Sequence, residues 1–215
     1  MSHASPMTFE QRTPAVASSD LLCCGRPYYQ DSYVTIFNAA CEEIQLPRCD
    51  IFLTDPPYQS AGRLNVGTMN ENILRDRKER QLIFWSETVI FPFSHTAKHR
   101  WIKPNRLGGR GYETIYERNG ESQSQEWTAT SINSTVAANM AQDIYTKHPY
   151  QKPIALIKKM LIYAGLPCLV IDPWMGSGAT LVAAKELGLL AIGVEISEQF
   201  CEMATTRLLQ GRLAL

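Results

Sequence analysis

The 215-residue chain is 45% hydrophobic and 20% charged, which suits one α/β domain with its own core and a short accessory segment rather than two full domains. Twenty-one Lys and Arg balance twenty-one Asp and Glu, a neutrality that argues mildly against a wholly basic nucleic-acid surface and makes the placement of the charges matter more than their sum. No apolar run is long enough to cross a bilayer, the polar start lacks a signal-peptide core, and the six cysteines show no CxxC pair or zinc spacing, so a cytoplasmic protein with free thiols is expected.

Residues 1–25, rich in Ser, Ala and Pro without periodicity, predict a flexible tail ahead of one domain over 26–215. The β-branched and aromatic run 33–37 predicts a strand. Residues 50–54 predict a buried strand stopped by Pro56 and Pro57, because proline cannot continue a central ladder. Residues 81–85, 100–103 and 112–116 are further strand candidates, the last two separated by the glycine-rich turn 107–111. Basic residues gather at Arg75, Arg77, Lys78 and Arg80, and again at Lys98, Arg100, Lys103, Arg106 and Arg110. Either group is a solvated face or a contact surface. His95 and His99 have helical spacing but no third ligand, so no metal site is expected.

From 120 to 146 the composition turns to Ser, Thr, Gln and Asn, which suggests an irregular surface segment. The last third is strongly patterned. Pro153 can open a helix reaching about Tyr163, with Gly165 beyond its end. A strand over 168–171, a helix over 179–187 closed by Gly188, and a strand over 189–194 follow. Ser197 can cap a last helix with Glu198 in its first turn. This alternation predicts a parallel sheet with right-handed crossovers.

Two turns at strand ends carry chemistry. Asp172, Pro173, Trp174, Met175, Gly176, Ser177 and Gly178 lie between a strand and a helix, where ligands sit in open parallel sheets and glycines let the backbone approach them. Glu195 ends the next strand, where a carboxylate can accept hydrogen bonds from both ribose hydroxyls. The GxGxxG that cradles a pyrophosphate is missing from the sequence, so a nucleoside such as S-adenosylmethionine fits better than a dinucleotide. Asp55, Pro56, Pro57 and Tyr58 follow the buried strand 50–54. An exocyclic amino group on a base is a poor nucleophile because its lone pair is delocalised into the ring. Asp55 and the Pro56 carbonyl can accept its two N–H bonds and free that pair, and Tyr58 can stack on a flipped base, a contact worth about 1–3 kcal/mol. Taken alone, the same residues could form only a turn.

Together these residues resemble the amino-group DNA methyltransferases. Asp55-Pro-Pro-Tyr58 resembles their catalytic DPPY motif, 172–178 their DPFxGSG cofactor motif with Trp174 in place of phenylalanine, and 148–153 the HPxxKP motif that lines the same pocket. The catalytic motif precedes the cofactor motif, an order similar to the circularly permuted β group. The resemblance implies an α/β, Rossmann-like S-adenosylmethionine-dependent methyltransferase fold, with a mixed, mostly parallel seven-stranded sheet and helices on both faces. It also implies a small target-recognition insertion at about 103–147. Cofactor contacts are expected from the 172–178 turn, Glu195, Ile196, His148, Lys152 and Pro153. Lys103, Arg106 and Arg110, interleaved with Gly108, Gly109 and Gly111, are expected to touch phosphates of double-stranded DNA.

Transfer to N6 of adenine is the reading favoured by an aspartate at the first motif position, with N4 of cytosine as the chemical alternative and a decayed DNA-binding protein as the alternative of another class. Similar permuted enzymes are often dimers, and a small phage-type or solitary enzyme, or one from a restriction-modification pair, is expected. The family often carries an aspartate after the first strand, where this chain has Asn38, Ala39, Ala40 and Cys41.

Overall fold

The computed structural model describes residues 25–57, 70–104, 111–121, 123–132, 137, 143 and 151–210. The expected tail lies outside this set but for its last residue. Among the described residues the strands are β1 (Tyr29–Gln30), β2 (Val34–Asn38), β3 (Ile51–Thr54), β4 (Arg80–Trp85), β5 (Ala97–Ile102), β6 (Tyr112–Arg118), β7 (Glu126–Thr128), β8 (Leu169–Asp172) and β9 (Leu190–Glu195). They form one sheet in the order β1-β2-β9-β8-β3-β4-β6-β5-β7. Strands β2, β9, β8, β3 and β4 are mutually parallel, so their carboxyl ends share one edge. Strand β6 runs antiparallel to β4 and β5, and β7 parallel to β5.

The expected count of seven strands is therefore corrected to nine. Strand β1 is two residues long, too short for a period to register. It forms because Asp31 turns the chain, its Oδ1 accepting the N–H of Tyr33 at 2.8 Å and of Val34 at 2.9 Å. Strand β7 arises inside the polar segment 120–146, where Trp127 pairs with Trp101 on β5 and is buried. The stretch 103–147, expected as a recognition insertion, contributes β6 and β7 to the sheet itself. His99 lies on β5 rather than on a helix. It is fully buried, with Nδ1 accepting the Gln125 N–H at 3.0 Å and Nε2 therefore donating to Glu117 Oε2 at 2.9 Å.

Alternating side chains divide the core into two layers. Ile36, Ile51, Leu53, Leu82, Phe84 and Val170 face one side, where they pack with helices α2 (Ile154–Tyr163), α3 (Ala179–Glu186) and α4 (Glu198–Gln210). Phe37, Phe52, Ile83, Ile171 and Ile192 face the other, covered by Leu74 of the short helix α1 (Asn72–Arg75), by the 3-10 turn Cys41–Glu43 and by Phe93. Strands buried on both faces read as continuous apolar runs, which is why 33–37, 50–54 and 81–85 stand out in the sequence. Among the described residues no helix is long and apolar enough to cross a membrane.

Candidate functional site

The shared carboxyl edge collects the chemistry. Asn38 ends β2, Glu195 ends β9, Asp172 ends β8, and Asp55 follows β3. Because β6 is antiparallel to β4, its first residues, Tyr112 and Glu113, come to the same edge, as does Lys103 just after β5.

Strands β3 and β8 are neighbours, and a hydrogen bond ties their tips. Thr54 Oγ1 donates to Asp172 Oδ1 at 2.7 Å, joining residues 118 apart in sequence. Asp172 is buried and also accepts the Trp174 N–H at 3.3 Å. Burial pushes its carboxyl up to about 6 despite the opposing bonds from Thr54 and Thr180. Beside it, Asp55 is half-buried and receives Lys152 Nζ on Oδ2 at 2.5 Å. Burial raises the Asp55 carboxyl, Lys152 opposes the rise, and Glu113 adds to it. The same Lys152 ammonium lies 3.3 Å from Glu113 Oε2, and Glu113 is paired in turn with Lys103. Burial raises Glu113, but Lys152 and Lys103 outweigh it and hold the carboxyl down to about 2.

The glycine turn is built against the next strand and the last helix. Met175 N–H donates to the Val194 carbonyl at 3.1 Å, and Gly176 N–H to Glu195 Oε2 at 3.1 Å. Glu195 Oε1 takes the Ser197 N–H at 2.8 Å, so the carboxylate is held at the strand end with burial raising it. Gly178 has φ +75°, and a Cβ there would lie 2.6 Å from the Ala204 Cβ of α4, so both the conformation and the close approach require glycine. Arg207 of α4, 1% exposed, donates from Nη1 to the Ser177 carbonyl at 2.8 Å and from Nη2 to Asp143 Oδ1 at 2.9 Å. Asp143 Oδ2 also accepts the Ile154 N–H at 3.1 Å, capping α2 from a distance. Ile196, by contrast, is 74% exposed immediately after Glu195.

The structure thus brings Asp55, Lys152, Asp172, the glycine turn and Glu195 to one edge, with Pro56, Pro57, Pro153, Pro173 and Trp174 adjoining them in the chain. Tyr58, His148, Arg106 and Arg110 lie outside the described residues. Lys103, expected to touch phosphate from the loop after the Trp101 strand, is corrected: it is buried, paired with Glu113, and its Nζ sits 4.3 Å from the Trp101 ring centroid. Its flexible apolar stem lets the side chain lie along the tryptophan while the ammonium reaches a carboxylate. Sequence reasoning missed Glu113, Thr54, Asp143 and Arg207. Thr54 adjoins the turn at Asp55–Pro57 and was available from that position; nothing local marks the other three.

A family model described as DNA methylase matches residues 61–206. The type II methyltransferase M2.LlaDCHI of Lactococcus lactis subsp. cremoris is 28% identical over 141 residues, 60% of this chain and 50% of that protein. M.ScaI of Streptomyces caespitosus is 31% identical over 91 residues, 41% and 29% of the two chains. The chain therefore spans about half the length of the first of these relatives and less of the second. Among solved structures, the M1.HpyAVI–SAM complex superposes with a TM-score of 0.56 at 21% identity, covering 81% of this chain and 98% of that one. The cytosine-N4-specific PvuII DNA methyltransferase superposes at 0.57 with 12% identity, covering 84% and 88%. These likenesses show the Rossmann-like methyltransferase fold.

Proposed function

Because the chain belongs to the N6/N4 DNA methylase family, we propose that it transfers the methyl group of S-adenosylmethionine to N6 of adenine in double-stranded DNA, in the cytoplasm. The observation that carries this reading is the tip-to-tip junction of β3 and β8, where Asp55 stands beside the glycine turn through the Thr54–Asp172 bond. The donor set suits the cofactor. The Glu195 carboxylate, fixed by two backbone N–H groups, retains lone pairs for the vicinal ribose hydroxyls, and the exposed Ile196 beside it offers an apolar face to a flat purine. The positive φ of Gly176 and Gly178 lets the turn lie close under a ligand. Lys152 and Pro153 flank the same edge, with His148 upstream of them.

When bound, S-adenosylmethionine supplies an electrophilic methyl group on a sulfonium, which leaves as a neutral thioether. The residues of the chain prepare the nucleophile. Asp55 and the Pro56 carbonyl accept the two N–H bonds of the flipped base, drawing its nitrogen towards tetrahedral geometry, and Pro57 stiffens the turn. Tyr58 stacks on the base. As the N–C bond forms, the nitrogen becomes positive and sheds one proton through the Asp55 carboxylate to water. Asp55 therefore stabilises charge that develops only in the transition state. Of the three cations expected to meet phosphate, Arg106 and Arg110 keep that role, since Lys103 is paired with Glu113.

The order of motifs matches a circular permutation, and one contact supports it. Lys185 Nζ binds both Asp31 Oδ2 at 2.5 Å and the Leu208 carbonyl at 3.2 Å, so the end of α4 lies beside the entry to β2.

Duplex DNA incubated with the chain and S-adenosylmethionine, then sequenced for modified bases, tests the reading. N6-methyladenine in one sequence context is the expected result, dependent on Asp55. N4-methylcytosine would move the target to the other amino group, and unmodified DNA would mark a decayed, non-catalytic protein.

A further inference from the structure

The geometry points to Glu113 as a positioning residue for methyl transfer: its carboxylate draws the Lys152 ammonium away from Asp55, so that Asp55 can accept an N–H of the target amine. This rests on the reading that Asp55 receives that amine. Lys152 Nζ lies 2.5 Å from Asp55 Oδ2 and 3.3 Å from Glu113 Oε2. One ammonium is thus shared by two carboxylates, and it sits nearer the one the substrate needs. A base amine has only weak donors, and it must displace or share with a full positive charge at that oxygen. Glu113 supplies the place for Lys152 to go.

The surroundings suit such a transfer of partner. Glu113 is anchored by Lys103, and Lys103 is fixed over Trp101. Lys152 Nζ lies 4.8 Å from the Phe84 ring centroid, which stabilises a cation on the path between the two carboxylates. Asp55, Lys152, Glu113 and Lys103 alternate in sign, so Lys152 keeps a carboxylate beside it on leaving Asp55, and the N–H of the target amine takes its place at Asp55. Glu113, held down at about 2, remains ionised throughout the neutral range and able to take the ammonium. The charged groups facing Asp55 are Lys152 ahead of α2, Glu113 on β6, Lys103 after β5 and Asp172 on β8.

The test compares wild type with Glu113→Gln, Lys152→Gln and the double variant. Single-turnover transfer to duplex DNA at saturating cofactor is measured across pH. In the free protein, the titration of the Asp55 carboxyl carbon is followed by NMR. Glu113→Gln should slow transfer tenfold or more with cofactor affinity unchanged, because the carboxylate that draws Lys152 from Asp55 is then gone. Adding Lys152→Gln should restore part of that loss, since no ammonium competes for Asp55 any longer. The Asp55 titration should move to lower pH in Glu113→Gln and to higher pH in Lys152→Gln, and the rescue in the double variant is the outcome that a merely structural Glu113 would not produce.

A wild-type rate in Glu113→Gln, or losses that simply add in the double variant, overturns the inference. Should Glu113→Gln not fold, Glu113→Asp carries the test. With its charge kept and its reach shortened it should be intermediate in rate, and a wild-type rate overturns the inference. A wild-type chain that methylates no DNA overturns the functional reading as well, whereas the outcomes above leave that reading standing.

Discussion

Replacing Asp143 with Asn should destabilise the protein and loosen the glycine turn together. The Asp143 and Arg207 side chains are 2% and 1% exposed and meet at 2.9 Å, so neither charge has water to fall back on. Asn keeps the shape and an oxygen for the Ile154 N–H, but it leaves the Arg207 guanidinium without its counter-charge. Arg207 Nε already lacks a partner among the described residues. Removing one partner of a buried pair costs about 3–5 kcal/mol. With a urea slope of about 2 kcal/mol per molar for a domain of this size, the unfolding midpoint should drop by about 1.5–2.5 M. Circular dichroism through a urea titration reads this directly. The double replacement Asp143→Leu with Arg207→Met should lie much closer to wild type, because apolar groups of similar volume leave no orphaned charge. A midpoint shift below about 0.5 M in Asp143→Asn would refute the reasoning and mean that water reaches the guanidinium.

Asp172→Asn tests the buried carboxyl at the start of the glycine turn. Burial raises Asp172 from 3.8 to about 6, so the folded state binds the proton more tightly than the unfolded chain. The Asp172 contribution to stability therefore rises as pH falls from about 6 towards 3.8, by about 3 kcal/mol. The Asn variant should lack that rise and be the more stable protein at neutral pH; parallel stability–pH curves would refute the assignment. Glu195→Ala should lose charge-assisted bonds worth about 1.5–3 kcal/mol, weakening S-adenosylmethionine roughly ten- to more than a hundredfold by calorimetry, and an unchanged Kd would remove Glu195 from the site. Asp55→Ala should abolish transfer with cofactor affinity nearly intact, and a large loss of cofactor binding would mean that Asp55 serves the cofactor instead. Replacing Arg106 and Arg110 with Gln should lower the salt slope of duplex binding by about 0.9 for each phosphate no longer neutralised, while Lys103→Gln leaves the slope unchanged; the reverse pattern would place Lys103 at the phosphates after all.

The parts of the fold that were legible in the sequence are those where one local rule dominates. Strands 33–37, 50–54 and 81–85 are apolar on both faces, and Pro56 and Pro57 end the second of them where β3 ends. Helices α2 and α3 were expected within about a residue of their observed ends, because Pro153, Gly165 and Gly188 punctuate them, and Ser197 marked the start of α4. What could not be read depends on partners distant in the chain. Nothing local marks Glu113 as a neighbour of Asp55; only the antiparallel insertion of β6 between β4 and β5 brings it there. Lys103 was misread because a basic residue in a glycine-rich loop looks solvated, and the Trp101 ring and the Glu113 carboxylate that bury it are set by that same pairing. Arg207 looks like an ordinary basic residue in the last turn of a helix, and its burial follows from how closely α4 approaches Gly178.

The strand order has a consequence for synthesis. Strand β2 pairs with β9, and β3 with β8, so the N-terminal strands wait for partners made near the end of the chain. Until those emerge from the ribosome, β2 and β3 each keep a bare strand edge, and Ile36 and Leu53 lack the helices α2 to α4 that cover their face. Closing such distant parallel pairs is slow, and unpaired apolar edges are where nascent chains aggregate. Yield of folded protein should thus be limited by the interval between translation of Thr54 and of Glu195. A chaperone that shields extended apolar segments would raise yield more than any change to the mature surface.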